Sequence, residues 1–419
     1  MHQKTQEEQK EYNKHMENHK KNILLQNCTQ LEPSHIISIV QKGEITIEEF
    51  KAAGLSQNII DQILSSITSK EQIENNAKRR RELFEKVISG RVSADEIKAN
   101  INNGNFSFDD LLDAGINERV VNSLKHYCNS RRITLFRNIS QLPPMEEGRT
   151  DVYFVGVPGS GKSTMLAGLL NMANKNGILM ADTYNNDGSI YQTQLISDLN
   201  KGVLPNATAS GSYNYVALSL KDANDAKHPF NIVEVPGENY VNMFKNGDVG
   251  EFLNYISNGN KKILIFVIDA MAHHTGYNES SSELDQNLVY TNILSMFKTN
   301  GILDQTDAIY LVANKFDMLK ELKYTTSDSS DVDLADDFLH EEFRNLIANC
   351  KDAREESNNK FKIKILPFSI GNVSYTSIIE NFNREHSEVV IENLIEDSFV
   401  VEGAKFNLSN LFNRRKKII

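Results

Sequence analysis

The apolar positions of this chain fall into two textures. From residue 23 to about residue 130 they recur three or four apart between short polar turns, the spacing of helices with one buried face. From Asp151 onward they gather into short runs, "VYFVGV", "FNIVEV", "KILIFVID", "AIYLVAN" and "KIKILPFS", separated by helix-like segments. Runs of that kind alternating with helices are the mark of βαβ units. The pattern predicts an all-α helical-repeat part followed by an α/β domain with a mainly parallel sheet and flanking helices. The boundaries read as a polar N-terminal segment at 1–22, helices at 23–130, a connector at 131–150 carrying Pro143-Pro144, the α/β domain at 151–400, and a basic tail at 401–419. Within the α/β domain, the acidic stretch 325–337 reads as a surface loop, and "HSEVVIENLIEDSF" reads as the last helix.

The helical part contains a repeat. "GEITIEEFKAAGLS" from Gly43 returns as "GNFSFDDLLDAGIN" from Gly104, an offset of 61 residues, and "GRVSADEI" from Gly90 is a shorter echo. Each unit has a glycine suited to end a helix, then a hydroxyl residue with an acid three positions later, the pairing that starts the next helix. Thr46 with Glu49, Ser93 with Glu96 and Ser107 with Asp110 are these pairs. Ser56 and Asn117 stand where further helices begin. The reading is a chain of short helices, either a plain bundle or an adaptor surface for a protein partner. Nothing in it points to catalysis.

Composition narrows the function. A net charge of −11 argues against general nucleic-acid binding. The N-terminus has no apolar stretch of signal-peptide type, and the longest apolar run, "ILIFVI", is far short of a transmembrane segment. Three scattered cysteines form neither a disulfide framework nor a zinc cluster, so a reducing cytoplasm is the expected location. His273-His274 has no third ligand at a suitable spacing and reads as loop or core.

The strongest motif is "VYFVGVPGSGKSTML", which satisfies G-x-x-x-x-G-K-S/T between an apolar strand and a helix. Glycines let backbone N–H groups turn inward around an anion, and the helix N-terminus adds its dipole. The candidate nucleotide-binding set is Gly156, Pro158, Gly159, Ser160, Gly161, Lys162, Ser163 and Thr164. Lys162 is placed to reach the β and γ phosphates, and the Ser163 hydroxyl to ligate Mg²⁺. Further along, "AIYLVANKFDML" ends a strand with Asn314, Lys315 and Asp317. An ionised Asp accepts two hydrogen bonds, which matches the N1 and N2 donors of guanine and nothing on that edge of adenine. Asn314 is expected to tie this loop to the phosphate loop, and the Lys315 stem to lie along the base. After one more strand, Ser369 and Ile370 stand where a backbone N–H meets the guanine carbonyl.

Phosphate loop, "EVPG", "NKFD" and "SIG", in that order over roughly residues 150–400, resemble the Ras-like, TRAFAC-type P-loop GTPases. The finer texture ("GVLPNATA", "VPGE") is similar to the double-GTPase families of prokaryotic conflict systems, although only one GTPase module is visible. The resemblance implies a GTP/GDP-binding, Mg²⁺-dependent switch with slow intrinsic hydrolysis, because no arginine finger stands in the chain itself. It implies a metal set of Ser163, Glu234 and a hydroxyl before the next strand. Thr208 is the choice for that hydroxyl, with Ser210 and Ser212 as rivals. Gly237 would offer its N–H to the γ-phosphate, and Glu238 would orient the attacking water, so the catalytic candidates are Lys162, Gly237 and Glu238. Two of these positions depart from the family: Glu234 replaces its usual Asp, and Glu238 stands where Gln is frequent. Asp269, closing "FVID", is the rival acid, of the kind found in P-loop ATPases. The expected partners are GTP or GDP, a protein bound through the helical part, and a second copy in a nucleotide-dependent homodimer, with bacterial defence or signalling as the setting. The alternatives are a nucleotide-binding scaffold of weak activity and, against the Asn-Lys-x-Asp signal, an ATPase.

Overall fold

The computed structural model describes residues 15–400 except 17, 131–132, 134, 182–185, 207, 209–210, 247–249, 273, 275–283 and 326. The terminal segments read as a polar head and a basic tail therefore lie largely outside the described residues, as do Ser210 and His273. The chain divides into two compact units, Met1–Arg91 and Val92–Ile419, so the division falls inside the stretch read as one helical region.

The first unit contains α1 (Pro33–Gln41), α2 (Ile47–Ala52) and α3 (Gln57–Ile88) around a core of Cys28, Ile36, Ile45, Phe50, Leu55, Ile60 and Ile63. At 32 residues, α3 departs from the expected run of short helices, since no Gly or Pro interrupts positions 57–88. The second unit opens with α4 (Ala94–Asn102), α5 (Phe108–Asp113) and α6 (Glu118–Asn129). All three hydroxyl–acid pairs form reciprocal caps. The repeat glycines Gly43, Gly54, Gly90, Gly104 and Gly115 all take left-handed backbone, with φ between 70° and 98°. Asn117 caps α6 by accepting the Arg119 N–H at 2.8 Å, whereas Ser56 makes no side-chain cap.

The sheet follows, built from β1 (Thr150–Val155), β2 (Leu179–Ala181), β3 (Asn214–Lys221), β4 (Lys227–Glu234), β5 (Lys261–Asp269), β6 (Thr306–Asn314) and β7 (Lys362–Phe368). Its order is β2-β3-β4-β1-β5-β6-β7. Pairings from β4 to β7 are parallel, and those of β3 with β2 and β4 are antiparallel. Helices cover both faces, as an apolar parallel sheet requires. One face packs α7 (Lys162–Lys175), α8 (Asn186–Asn200) and a C-terminal helix. The other packs α9 (Gly237–Asn246), α10 (Gly250–Ile256), α11 (Gln286–Thr299), α12 (Phe316–Lys323), α13 (Asp331–Glu342) and α14 (Arg344–Glu356). A hairpin, β8 (Gly371–Ser374) and β9 (Ile378–Phe382), precedes that C-terminal helix, α15 (Glu385–Asp397).

The expected acidic loop at 325–337 is half helix. Ser330 accepts the Asp333 N–H at 3.2 Å, and α13 starts at Asp331. Acids in a first turn favour the N-terminal dipole, and Leu334, Ala335, Phe338 and Leu339 supply the buried face. Among the described residues, no helix is long and apolar enough to cross a membrane.

Candidate functional site

Parallel strands align their C-terminal ends, and ligand sites of open α/β sheets sit beyond those ends. Val155, Asp269, Asn314 and Phe368 close β1, β5, β6 and β7, while Glu234 closes β4. The loops leaving β1, β4, β6 and β7 carry the phosphate-loop, "EVPG", "NKFD" and "SIG" motifs.

The loop after β1 runs from Gly156 to Gly161 and feeds α7. Gly159 and Gly161 take positive φ, at 77° and 92°. A Cβ on Gly161 would lie 2.1 Å from Asn314 Nδ2, so the base loop packs directly on the phosphate loop there. A Cβ on Gly156 would lie 2.5 Å from the Ser160 hydroxyl. Lys162 is buried at 6% exposure, and its ammonium donates to the Gly156 carbonyl at 2.7 Å and the Val157 carbonyl at 3.2 Å. Burial lowers its pKa to about 8, while the carboxylates of Glu234 and Glu238 pull the other way. Thr164 follows Ser163 in the first turn of α7.

Ser163 Oγ donates to Glu234 Oε1 and lies 2.9 Å from Thr208 Oγ1, which itself donates to Oε1 at 3.0 Å. Three oxygens of magnesium-ligating type thus converge from α7, the segment before β3, and the end of β4. Adjacent ligands of an octahedral Mg²⁺, each about 2.1 Å from the ion, sit about 3 Å apart. The Ser163–Thr208 spacing fits that edge. Ser212 lies two residues before β3. Asp269, the rival acid, faces elsewhere: its Oδ2 accepts from Lys315 Nζ at 2.8 Å and its Oδ1 from the Met271 N–H at 3.0 Å. Among the described residues, no group of three or more His, Cys, Asp or Glu side chains could hold a metal.

Gly237 begins α9, and a Cβ there would lie 2.3 Å from Pro158 N and 2.5 Å from the Val157 carbonyl carbon. Only a glycine allows this helix start to rest on the phosphate-loop backbone. Glu238, half-buried in the same turn, acts on Lys162 electrostatically.

The base loop follows β6. Asn314 Nδ2 donates to the Ser160 carbonyl at 2.7 Å. Lys315, at φ 58°, donates to the Gly159 carbonyl at 3.1 Å as well as to Asp269. Asp317 is half-buried in the first turn of α12. Ser369 and Ile370, both buried, continue from β7, which is in register with β6 from Ala308 to Asn314. The Ser369 hydroxyl accepts the Gly371 N–H at 3.0 Å and fixes that turn.

Four supporting residues escape sequence reasoning. Tyr290 OH accepts the Val157 N–H at 3.3 Å and donates to the Val267 carbonyl at 2.9 Å, bracing the phosphate loop against β5. Gln286 binds both backbone groups of Asp269. Tyr191 and Asn214 both donate to Glu234 Oε2. No motif marks these residues, because they reach the site from three separate elements, α8, β3 and α11.

Residues 153–291 match the family model described as DO-GTPase1, Double-GTPase 1. None of the curated proteins matches the sequence. Among solved structures, the signal recognition particle receptor SRb-GTP/SRX complex of Chaetomium thermophilum is 15% identical, with 54% of this chain and 93% of that chain covered and a TM-score of 0.31. Nucleolar GTP-binding protein 1 of Plasmodium falciparum is 15% identical, with 61% and 90% covered and a TM-score of 0.29.

Proposed function

Starting from a P-loop GTPase domain of double-GTPase type, we propose that this chain is a guanine-nucleotide switch that binds GTP with Mg²⁺ and hydrolyses it slowly. The observation that carries this reading is the Asn314–Ser160 hydrogen bond of 2.7 Å, reinforced by Lys315 on Gly159. It joins a loop with a guanine-selective carboxylate, Asp317, to a loop built for phosphates, so one nucleotide can span both.

The roles follow from the chemistry. Backbone N–H groups of the phosphate loop and the α7 N-terminus hold the phosphate oxygens. Lys162 neutralises charge at the β and γ positions. Ser163, Thr208 and Glu234 are the residues that would hold Mg²⁺, which when bound would supply positive charge to the phosphates. Gly237, packed against Pro158, offers its N–H as the γ-phosphate sensor. Glu238 orients the attacking water and accepts its proton. A second carboxylate beside anionic phosphates opposes their approach, and Lys162, which feels the Glu238 charge, offsets it. That balance supports a slow rate, and it also favours the second reading, a nucleotide-dependent scaffold with weak turnover.

The helical segment is the proposed output surface for a protein partner. His126 of α6 meets Asp198 of α8 at 2.8 Å, and Ser123 donates to the Lys201 carbonyl at 2.7 Å, which supports a link from the nucleotide site to these helices. A bacterial defence or signalling setting rests on family likeness alone, and a nucleotide-dependent homodimer stays part of the proposal. Single-turnover hydrolysis of GTP and ATP with Mg²⁺ tests the reading. Slow GTP turnover that Lys162→Ala abolishes supports the switch. Tight GTP binding with no turnover supports the scaffold, and a preference for ATP overturns both.

A further inference from the structure

A glutamate at the end of β4 raises a chemical question that an aspartate would not. Its carboxylate swings on one more bond, so something must fix which oxygen faces Ser163. In this fold the two oxygens have separate partners. Oε1 accepts from Ser163 and Thr208, whereas Oε2 accepts from the Tyr191 hydroxyl and from Asn214 Nδ2 at 3.2 Å. The Oε2 side is out of water: Glu234 is 1% exposed, Asn214 2% and Tyr191 7%.

The donors of the second oxygen are held by the fold itself. Asn214 stands directly opposite Glu234 in the antiparallel β3–β4 ladder. Tyr191 packs among Leu195, Leu199 and Val216 on α8 and β3. Gly188 lies three positions earlier on the same face of α8. A Cβ there would lie 2.3 Å from the Tyr215 carbonyl oxygen, so the missing side chain lets α8 approach β3 at this point. Glycine, tyrosine and asparagine thus act together on one carboxylate oxygen.

We propose that Tyr191 and Asn214 are positioning residues that clamp Glu234 Oε2, leaving Oε1 as the oxygen presented to the Mg²⁺-side hydroxyls of Ser163 and Thr208. The clamp lets a glutamate do the work of the shorter acid. Support of this kind around a metal site changes metal affinity by about 10–100-fold when removed. The inference rests on the GTP–Mg²⁺ reading above, and the test separates the two.

The experiment measures dissociation constants of a fluorescent GDP analogue for the full chain, in Mg²⁺ and in excess EDTA, with Mn²⁺ binding followed by electron paramagnetic resonance. Tyr191→Phe and Asn214→Ala are each expected to leave the EDTA value unchanged and to cut the Mg²⁺-dependent gain, and Mn²⁺ affinity, by about 10–100-fold. A general packing defect would weaken both values together and would overturn the clamp. So would variants that keep the full Mg²⁺ gain. A wild-type chain that binds the analogue no better with Mg²⁺ overturns the underlying reading instead. Should Tyr191→Phe fail to fold, Asn214→Ala decides the matter on the same readouts.

Discussion

Asn314 Nδ2 donates to the Ser160 carbonyl across 2.7 Å, latching the loop after β6 onto the loop after β1. Its amide sits where a side chain on Gly161 would otherwise lie, so latch and glycine require each other. Asn314→Ala removes the donor and leaves a buried carbonyl without it, a loss of about 1–3 kcal/mol. GDP affinity, read by fluorescence titration, is expected to drop about tenfold or more.

Gly237 makes a second close contact, against Pro158. Gly237→Ala puts a methyl group into that backbone and pushes the start of α9 away from the phosphate loop. GDP affinity is expected to stay near the wild-type value while any preference for GTP over GDP disappears. Competition titrations with both nucleotides check this, and a retained preference removes Gly237 from the sensor role.

Lys162 supplies a pH dependence. Its pKa is lowered from the ordinary 10.5 to about 8 because the ammonium is buried, so it releases its proton earlier in the folded chain. Anionic phosphates favour the charged form, so binding above about pH 8 must take up a proton. Nucleotide affinity is therefore flat below that pH and falls above it, by at most about tenfold per unit. The unfolded chain keeps its lysine proton across the same window, so this group makes stability rise there with pH. Calorimetric titrations in buffers of different ionisation heat read the proton uptake directly.

Tyr290 braces the phosphate loop through a fully buried hydroxyl. Tyr290→Phe leaves the Val157 N–H and the Val267 carbonyl without this partner at almost unchanged volume. The expected loss is about 1–3 kcal/mol, read as a lower urea midpoint in circular dichroism.

What was legible in the sequence is what its chemistry keeps local. The turn from Gly156 to Gly161 needs its residues consecutively, and so does the Asn-Lys-x-Asp turn, so both appear as strings. The repeat was legible for the same reason, because a capping pair spans only four positions. The clamp on Glu234 was not, since Tyr191 and Asn214 reach it from a helix and an antiparallel strand that only the sheet order brings together. Asp269 looked like a rival to Glu234 because each acid ends an apolar run. Register alone separates them: Asp269 lies beside Asn314 and turns to Lys315, while Glu234 lies opposite Asn214 and turns to Ser163. The acidic stretch 325–337 misled because charge outweighed the apolar stripe that begins at Leu334.

Guanine selectivity through Asp317 is tested most directly by binding GTP, ATP and xanthosine triphosphate to the wild-type chain and to Asp317→Asn. An ionised Asp accepts both N1 and N2 donors of guanine, and the amide turns one acceptor into a donor that suits the xanthine carbonyl. The predicted result is wild-type preference for GTP over ATP, and an Asp317→Asn variant that loses GTP and gains the xanthine nucleotide. Unchanged selectivity in the variant, or ATP bound as tightly as GTP by the wild type, would contradict it.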